Sequence, residues 1–259
     1  DMRWERFAAK VAETGGIVEE WIAAEGVRSP SVQLRITPVG DLEIISTHDQ
    51  ILGGPSGQVF QACTFPADPA YAREIQSIAL RVGEVLKSRG VLGRFGVDFV
   101  SVPVEDGWRH HAIEINLRKG GTTHTFQMLQ FLTQGRYDCA RAEFVTPQGA
   151  SRSYYATDNV VNPLYRRLTP EDLVEVTDRH DLHFDPARQR GVVFNLIGAL
   201  SEFGKIGVVA IDEDRDRAQA LLREAGWFVR CEGEADVARL KVVLRVGQVV
   251  QIAGIGALH

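Results

Sequence analysis

The chain has only three cysteines, Cys63, Cys139 and Cys231, and no two of them lie close in sequence. A Cys-x-x-Cys clasp for zinc is therefore absent, and so is the closely spaced, even-numbered set of a disulfide scaffold. Reduced thiols and a cytoplasmic location are the expectation. No apolar run reaches the roughly 20 residues that cross a bilayer, and the start, Asp1 to Arg6, is charged rather than signal-like. A membrane partner is not expected. Positive charge is not in excess either. With 29 Lys and Arg against 34 Asp and Glu, the net charge is −5, which argues against nucleic acid as a partner. The glycine-rich loop Leu52 to Gly57 is not followed by Gly-Lys-Ser/Thr, so it is not a Walker P-loop. Repeats and low-complexity tracts are also missing.

What is present centres on residues 111–126, HAIEINLRKGGTTHTF. Ile113, Ile115 and Leu117 alternate with Glu114, Asn116 and Arg118, the period of a strand with an apolar back and a charged front. Glu114 and Asn116 then offer two hard oxygen donors about 7 Å apart on one face, a set that suits Mg²⁺. Arg118 adds a cation one pleat on. Gly120 and Gly121 permit a turn, and Thr122 or Thr123 can cap a helix whose N-terminus seats an anion. On alternation alone, a solvated sheet face with a Glu114–Arg118 surface pair explains the pattern as well. The segment Gly96 to Val102 reads as a second strand, and Asp106-Gly107 as the turn that pairs the two. Asp98 then projects beside Glu114 and Asn116, a costly arrangement without a cation.

The GVDF strand followed by E-I-N resembles the magnesium-binding hairpin of the ATP-grasp superfamily. E-I-N-L-R is similar to the E-x-N-x-R of its carboxylases, and GRFGVDF with EINLRKGGTTH resembles most closely the ATP-grasp peptide ligases of the pheganomycin type. The resemblance implies ATP and Mg²⁺ as cofactors, with Asp98, Glu114 and Asn116 as metal ligands. It implies Arg118 and His124 as catalytic residues, Thr122 at the phosphates, and small-molecule or peptide carboxylates and amines as substrates. It also makes Ile17 to Ile22 a hinge strand, with adenine contacts on Glu20, Trp21 and Ile22 and the ribose on Glu25. Arg35, on a strand of the hairpin Val32–Ile36 and Leu42–Ser46, is a further phosphate candidate. A first lobe carrying a lysine and a glycine-rich flap is expected elsewhere, in cis or as a second chain. Two other readings stand beside a ligase: a non-catalytic nucleotide-sensing or scaffold module, and a biotin-carboxylase-like enzyme.

The expected fold is α+β. An ATP-grasp second lobe, antiparallel sheet with helices, occupies residues 1–164, and a smaller α/β domain occupies 165–259. Helices are expected over 2–14, with Phe7, Ala8 and Val11 on its stripe, and from Asp68 to Ser88, burying Ile75, Ile78, Ala79, Val82, Val85 and Leu86. Others are expected over Thr123 to Thr133, from Thr169, and over Arg215 to Ala225, stopped by Gly226. His48 to Gly57 is expected to leave the sheet. Strands are expected at Tyr154 to Asp158, Gly207 to Ile211, Trp227 to Cys231, Leu240 to Val246 and Val249 to Ile252, while residues 191–200 fit strand or helix.

Overall fold

A computed structural model describes residues 3–229. After helix α1 (Trp4–Thr14) come strands β1 (Ser29–Ile36), β2 (Leu42–Gly53) and β3 (Val59–Phe65). Helix α2 (Ala72–Ser88) leads to the hairpin β4 (Gly93–Val104) and β5 (Gly107–Asn116), and then to helix α3 (Gly121–Thr133). A short ribbon, β6 (Arg136–Asp138) and β7 (Glu143–Val145), precedes β8 (Ser153–Val161) and helix α4 (Pro170–Arg179). Strand β9 (Gly191–Asn195), helix α5 (Ala199–Phe203), strand β10 (Lys205–Asp212) and helix α6 (Arg215–Val229) follow.

Eight strands form one sheet in the order β5-β4-β1-β2-β3-β8-β10-β9, every neighbour antiparallel. One sheet runs across residue 164, because β8 pairs with β10. Period-two alternation feeds two cores. Val32, Leu34, Phe95, Val97 and Phe99 point to the α2 face, where Ile75 and Ala79 cover them. On the other face Phe65, Tyr154, Ala156 and Val209 meet Phe126 and Leu129 of α3. The aromatic cluster is tight: Phe65 stacks on Tyr154 at 5.0 Å and meets Phe126 edge-on at 5.2 Å. A third cluster joins β10 to α6 and to Leu173 of α4, whose first turn is closed by Thr169 and Asp172 capping one another.

Several expectations change. Ile17 to Ile22 forms no strand. A strand needs a ladder, and neither edge of the sheet receives this segment. Helix α1 forms, but its stripe meets no core among the described residues: Trp4 is 72% exposed, and Phe7 and Val11 are exposed as well. His48 to Gly53 continues β2 instead of leaving the sheet, because β3, unforeseen, gives its far end a partner. Helix α2 starts at Ala72 rather than Asp68, since Asp68 first caps a tight turn by accepting from the N–H of Ala70 (3.0 Å). Val85 turns to solvent. Residues 191–200 divide into β9 and the start of α5. Gly226 does not stop α6, which carries on to Val229, so residues 227–229 are helix and not strand. A glycine inside a helix costs only about 1 kcal/mol. The strands expected over 240–252 lie outside the described residues.

Candidate functional site

The β4–β5 hairpin sets the site through an irregularity in its register. Gly96 pairs with Asn116, Val97 with Ile115 and Asp98 with Glu114, but Phe99 pairs with Ala112, leaving Ile113 as an extra residue. Opposed residues project to the same face. Without that bulge Asp98 would oppose Ile113, and Glu114 would turn to the α2 side. The extra residue re-aims Glu114 beside Asp98, as bulges near functional sites do. Asp98 Oδ1 accepts from Gln50 Nε2 (3.0 Å) and Oδ2 from Asn116 Nδ2 (3.0 Å), which leaves the amide oxygen of Asn116 uncommitted to Asp98. Gly96 keeps the floor open, since a Cβ there would meet Gln33 Nε2 at 2.9 Å.

Burial first, and the neighbouring Glu114 carboxylate second, push the Asp98 carboxyl up to about 6. Among the described residues no three His, Cys, Asp or Glu side chains gather into a metal-binding cluster. The set here is instead two carboxylates and an amide, all hard oxygen donors, with a charge repulsion that a divalent cation relieves. That chemistry fits Mg²⁺.

Helix α3 faces the same space with its N-terminus. Gly120 is the boundary residue, and Thr123, rather than Thr122, closes the turn by accepting from the Gly120 N–H (3.1 Å). A buried relay fixes this turn from beneath. Thr125 Oγ1 donates to the Thr122 carbonyl (3.0 Å), so it accepts from the Tyr154 hydroxyl (3.0 Å), which in turn accepts from His48 Nε2 (2.7 Å). Burial lowers His48 to about 3, so the ring is neutral, with Nδ1 the bare nitrogen. His48 and Tyr154 escaped the sequence reading: neither sits near the motif, and only the fold brings them under it.

Asp98, Glu114, Asn116, Arg118, Thr122 and His124 all line one cavity of about 310 Å³. His124 is exposed, and partial desolvation lowers its pKa against the opposing pull of Asp158. Strands β8 and β9 add Asp158 and Asn195 to the wall, two residues for which the sequence gave no signal beyond an ordinary polar strand position. Arg118 is the one Lys or Arg on that wall among the described residues. Glu20, Trp21, Ile22 and Glu25 do not line the cavity; Trp21 is 66% exposed. Arg35 stays away as well, held by Glu43 through Nε (2.9 Å) and Nη2 (2.5 Å).

Comparison with known proteins accords with this arrangement. Residues 172–225 match the PGM1 C-terminal domain family. A curated relative, the L-propargylglycine–L-glutamate ligase of Streptantibioticus cattleyicolor, is 34% identical over 223 residues, 85% of this chain and 44% of the relative. The chain thus spans less than half the length of that relative. Among solved structures, N5-carboxyaminoimidazole synthetase from Staphylococcus aureus complexed with ADP superposes with a TM-score of 0.54 at 12% identity, covering 86% of this chain and 56% of that one. The biotin carboxylase–β,γ-ATP complex from Campylobacter jejuni gives 0.54 at 14% identity, covering 86% and 50%. At such identities these two establish the fold alone, a mixed α/β architecture built on a large antiparallel sheet. Residues 2–140, more than half of the sequence and all of the metal-type hairpin, match the family described as IQCH-like, ATP-grasp, and the chain belongs to that family.

Proposed function

We propose that this chain carries the metal and phosphate side of an ATP-dependent carboxylate–amine ligase acting through an acyl phosphate. The observation that carries the reading is the convergence of Asp98, Glu114, Asn116 and Arg118 with the start of α3 in one cavity. In this reading Asp98, Glu114 and the Asn116 amide oxygen hold Mg²⁺. Neutralisation of charge on the terminal phosphates is what that ion supplies when bound. The free N–H groups at the start of α3, near Thr122, cradle phosphate oxygens. A carboxylate oxygen of the acid attacks the γ-phosphorus, and ADP leaves with the electron pair of the broken P–O bond. Arg118 stabilises the charge on the acyl phosphate, a preorganised contribution of about 2–4 kcal/mol. The amine nitrogen then attacks the acyl carbon, and phosphate departs. His124, whose pKa partial desolvation lowers, takes a proton that the amine sheds.

The adenine and ribose contacts at Glu20, Trp21, Ile22 and Glu25 belong to this reading through the resemblance of that segment to a hinge; Glu20, Trp21 and Glu25 are exposed. Arg35 drops out, since Glu43 already engages it. A first lobe, in cis or as a second chain, completes the nucleotide site; the 44% coverage of the ligase relative and the lack of a lysine on the described wall support this. Residues 1–164 and 165–259 form two modules in our reading, in line with separate family matches at 2–140 and 172–225. The relative's name joins two amino acids, and we take amino acids as acid and amine. The test is ADP release by the complete protein with ATP, Mg²⁺ and pairs of amino acids. Release should depend on the acid and vanish in Glu114→Gln; release by that variant at the wild-type rate would defeat the reading.

A further inference from the structure

We infer that Asp158 and Asn195 form the seat for the positively charged amino group of the amine substrate, an inference that rests on the ligase reading above. Both line the same cavity as Asp98 and Glu114, but from the other end of the sheet, on β8 and β9 rather than β4 and β5. Each presents an Oδ1 atom that is shielded from solvent and has no hydrogen-bond partner among the described residues. Shielded acceptors of this kind are rare in folded proteins and call for a donor.

The surroundings show that neighbouring side chains do not supply one. Lys205 Nζ, the nearby cation, donates to Asn159 Oδ1 (3.4 Å). Thr157 Oγ1 donates to the Gln61 carbonyl (2.6 Å). The Cys63 thiol, buried beside Asp158, is pushed up to about 12 and carries no charge. His124, which feels the charge of Asp158, has its pKa lowered by desolvation. Asp158 therefore lines the cavity with no cation paired to its carboxylate among the described residues. Gly207, the cross-strand partner of Asn195, is what lets the amide lie as it does: a Cβ there would come within 1.7 Å of Asn195 Oδ1.

Two acceptors without donors, one of them on a carboxylate, in the wall of a cavity that also holds a phosphate-type helix terminus, define the ligand group. It must carry several N–H donors and a positive charge, as a primary ammonium does. Acid activation and amine delivery would then occupy opposite ends of one chamber. His124 lines the same chamber and feels the charge of Asp158.

The test compares two nucleophiles in the complete protein, with ATP, Mg²⁺ and each amino acid in turn as acid and as amine. Hydroxylamine, uncharged at neutral pH, traps the acyl phosphate as a hydroxamate and needs no ammonium seat. Asp158→Asn should raise the KM for the best amino-acid amine about tenfold or more, while the hydroxamate rate stays within about twofold of wild type. Asn195→Ala, which does not touch the charged strand position, should raise the same KM about threefold and serves if Asp158→Asn does not fold. Unchanged amine KM in the folded variants would overturn the inference. A hydroxamate rate that falls in step with ligation would also overturn it, placing Asp158 in acid activation and leaving the ligase reading intact. Failure of the wild type itself to form hydroxamate or ADP with every acid would remove the ligase reading, and this inference with it.

Discussion

Replacing Glu114 by Gln should make the folded chain more stable at pH 8 without metal, and less responsive to metal. Burial and the Glu114 carboxylate raise Asp98 from 3.8 to about 6. At 1.36 kcal/mol per pH unit, that gap is about 3 kcal/mol of preference for the protonated form. The sign follows from linkage. With a folded pKa above the unfolded one, the group's stabilising contribution is complete below pH 4 and is lost as pH rises through about 6. Above that pH the folded chain therefore holds an unfavourable carboxylate pair. Glu114 is the second cause after burial and is itself exposed, so its removal should return only about 1 kcal/mol, an exposed-charge discount included. For a chain of this size that is a rise in Tm of about 2–4 °C at pH 8, shrinking towards zero at pH 4. Mg²⁺ should raise the wild-type Tm by mass action on the folded state, with a smaller rise in Glu114→Gln. Melting curves at both pH values, with and without Mg²⁺, are the assay. A variant that melts below the wild type at pH 8 without metal, or gains as much from Mg²⁺, would refute the idea that Glu114 and Asp98 are paired for a cation.

Further outcomes follow from other parts of the site. Arg118→Lys keeps the charge but loses the planar fork; kcat should fall by more than the KM for ATP changes, and a rise in KM alone would make Arg118 a binding residue only. Tyr154→Phe removes the acceptor of the buried His48 Nε2 and should cost about 1–3 kcal/mol in chemical denaturation; a neutral effect would mean the relay under α3 is not structural. The 259-residue chain alone should bind Mg·ATP at millimolar Kd or weaker, about 4 kcal/mol, because one wall of the site is missing in our reading; low-micromolar binding by calorimetry would show that the nucleotide needs no further lobe.

How much of this was readable beforehand depended on range. Glu114 and Asn116 stand in one strand with a period of two and Arg118 follows two residues past its end, so a local pattern sufficed to place them together, and the hairpin turn at Asp106-Gly107 brought in Asp98. The bulge at Ile113 left no such trace. Its alternation looks regular from 113 onward, and only the paired strand reveals that Ala112 faces the other way. The apolar back of that stretch, Ile113, Ile115 and Leu117, is exposed among the described residues. The V-E-E-W-I segment has strand-like residues but no ladder partner, and propensity without a partner does not make a strand. Asp158, Asn195, His48 and Tyr154 acquire meaning only through the sheet order, which sets β8 beside β3 and carries β9 to the cavity.

The central claim is that a carboxylate is activated as an acyl phosphate over Asp98, Glu114 and Arg118. The most direct measurement follows the oxygen. The complete protein is given ATP, Mg²⁺, amino acids labelled with ¹⁸O in the carboxylate, and an unlabelled amino acid as amine, and the released phosphate is analysed by mass spectrometry. The account predicts one labelled oxygen in inorganic phosphate for every amide bond formed, with ADP as the nucleotide product. Amide formation with unlabelled phosphate, or with the label carried into AMP, would contradict it.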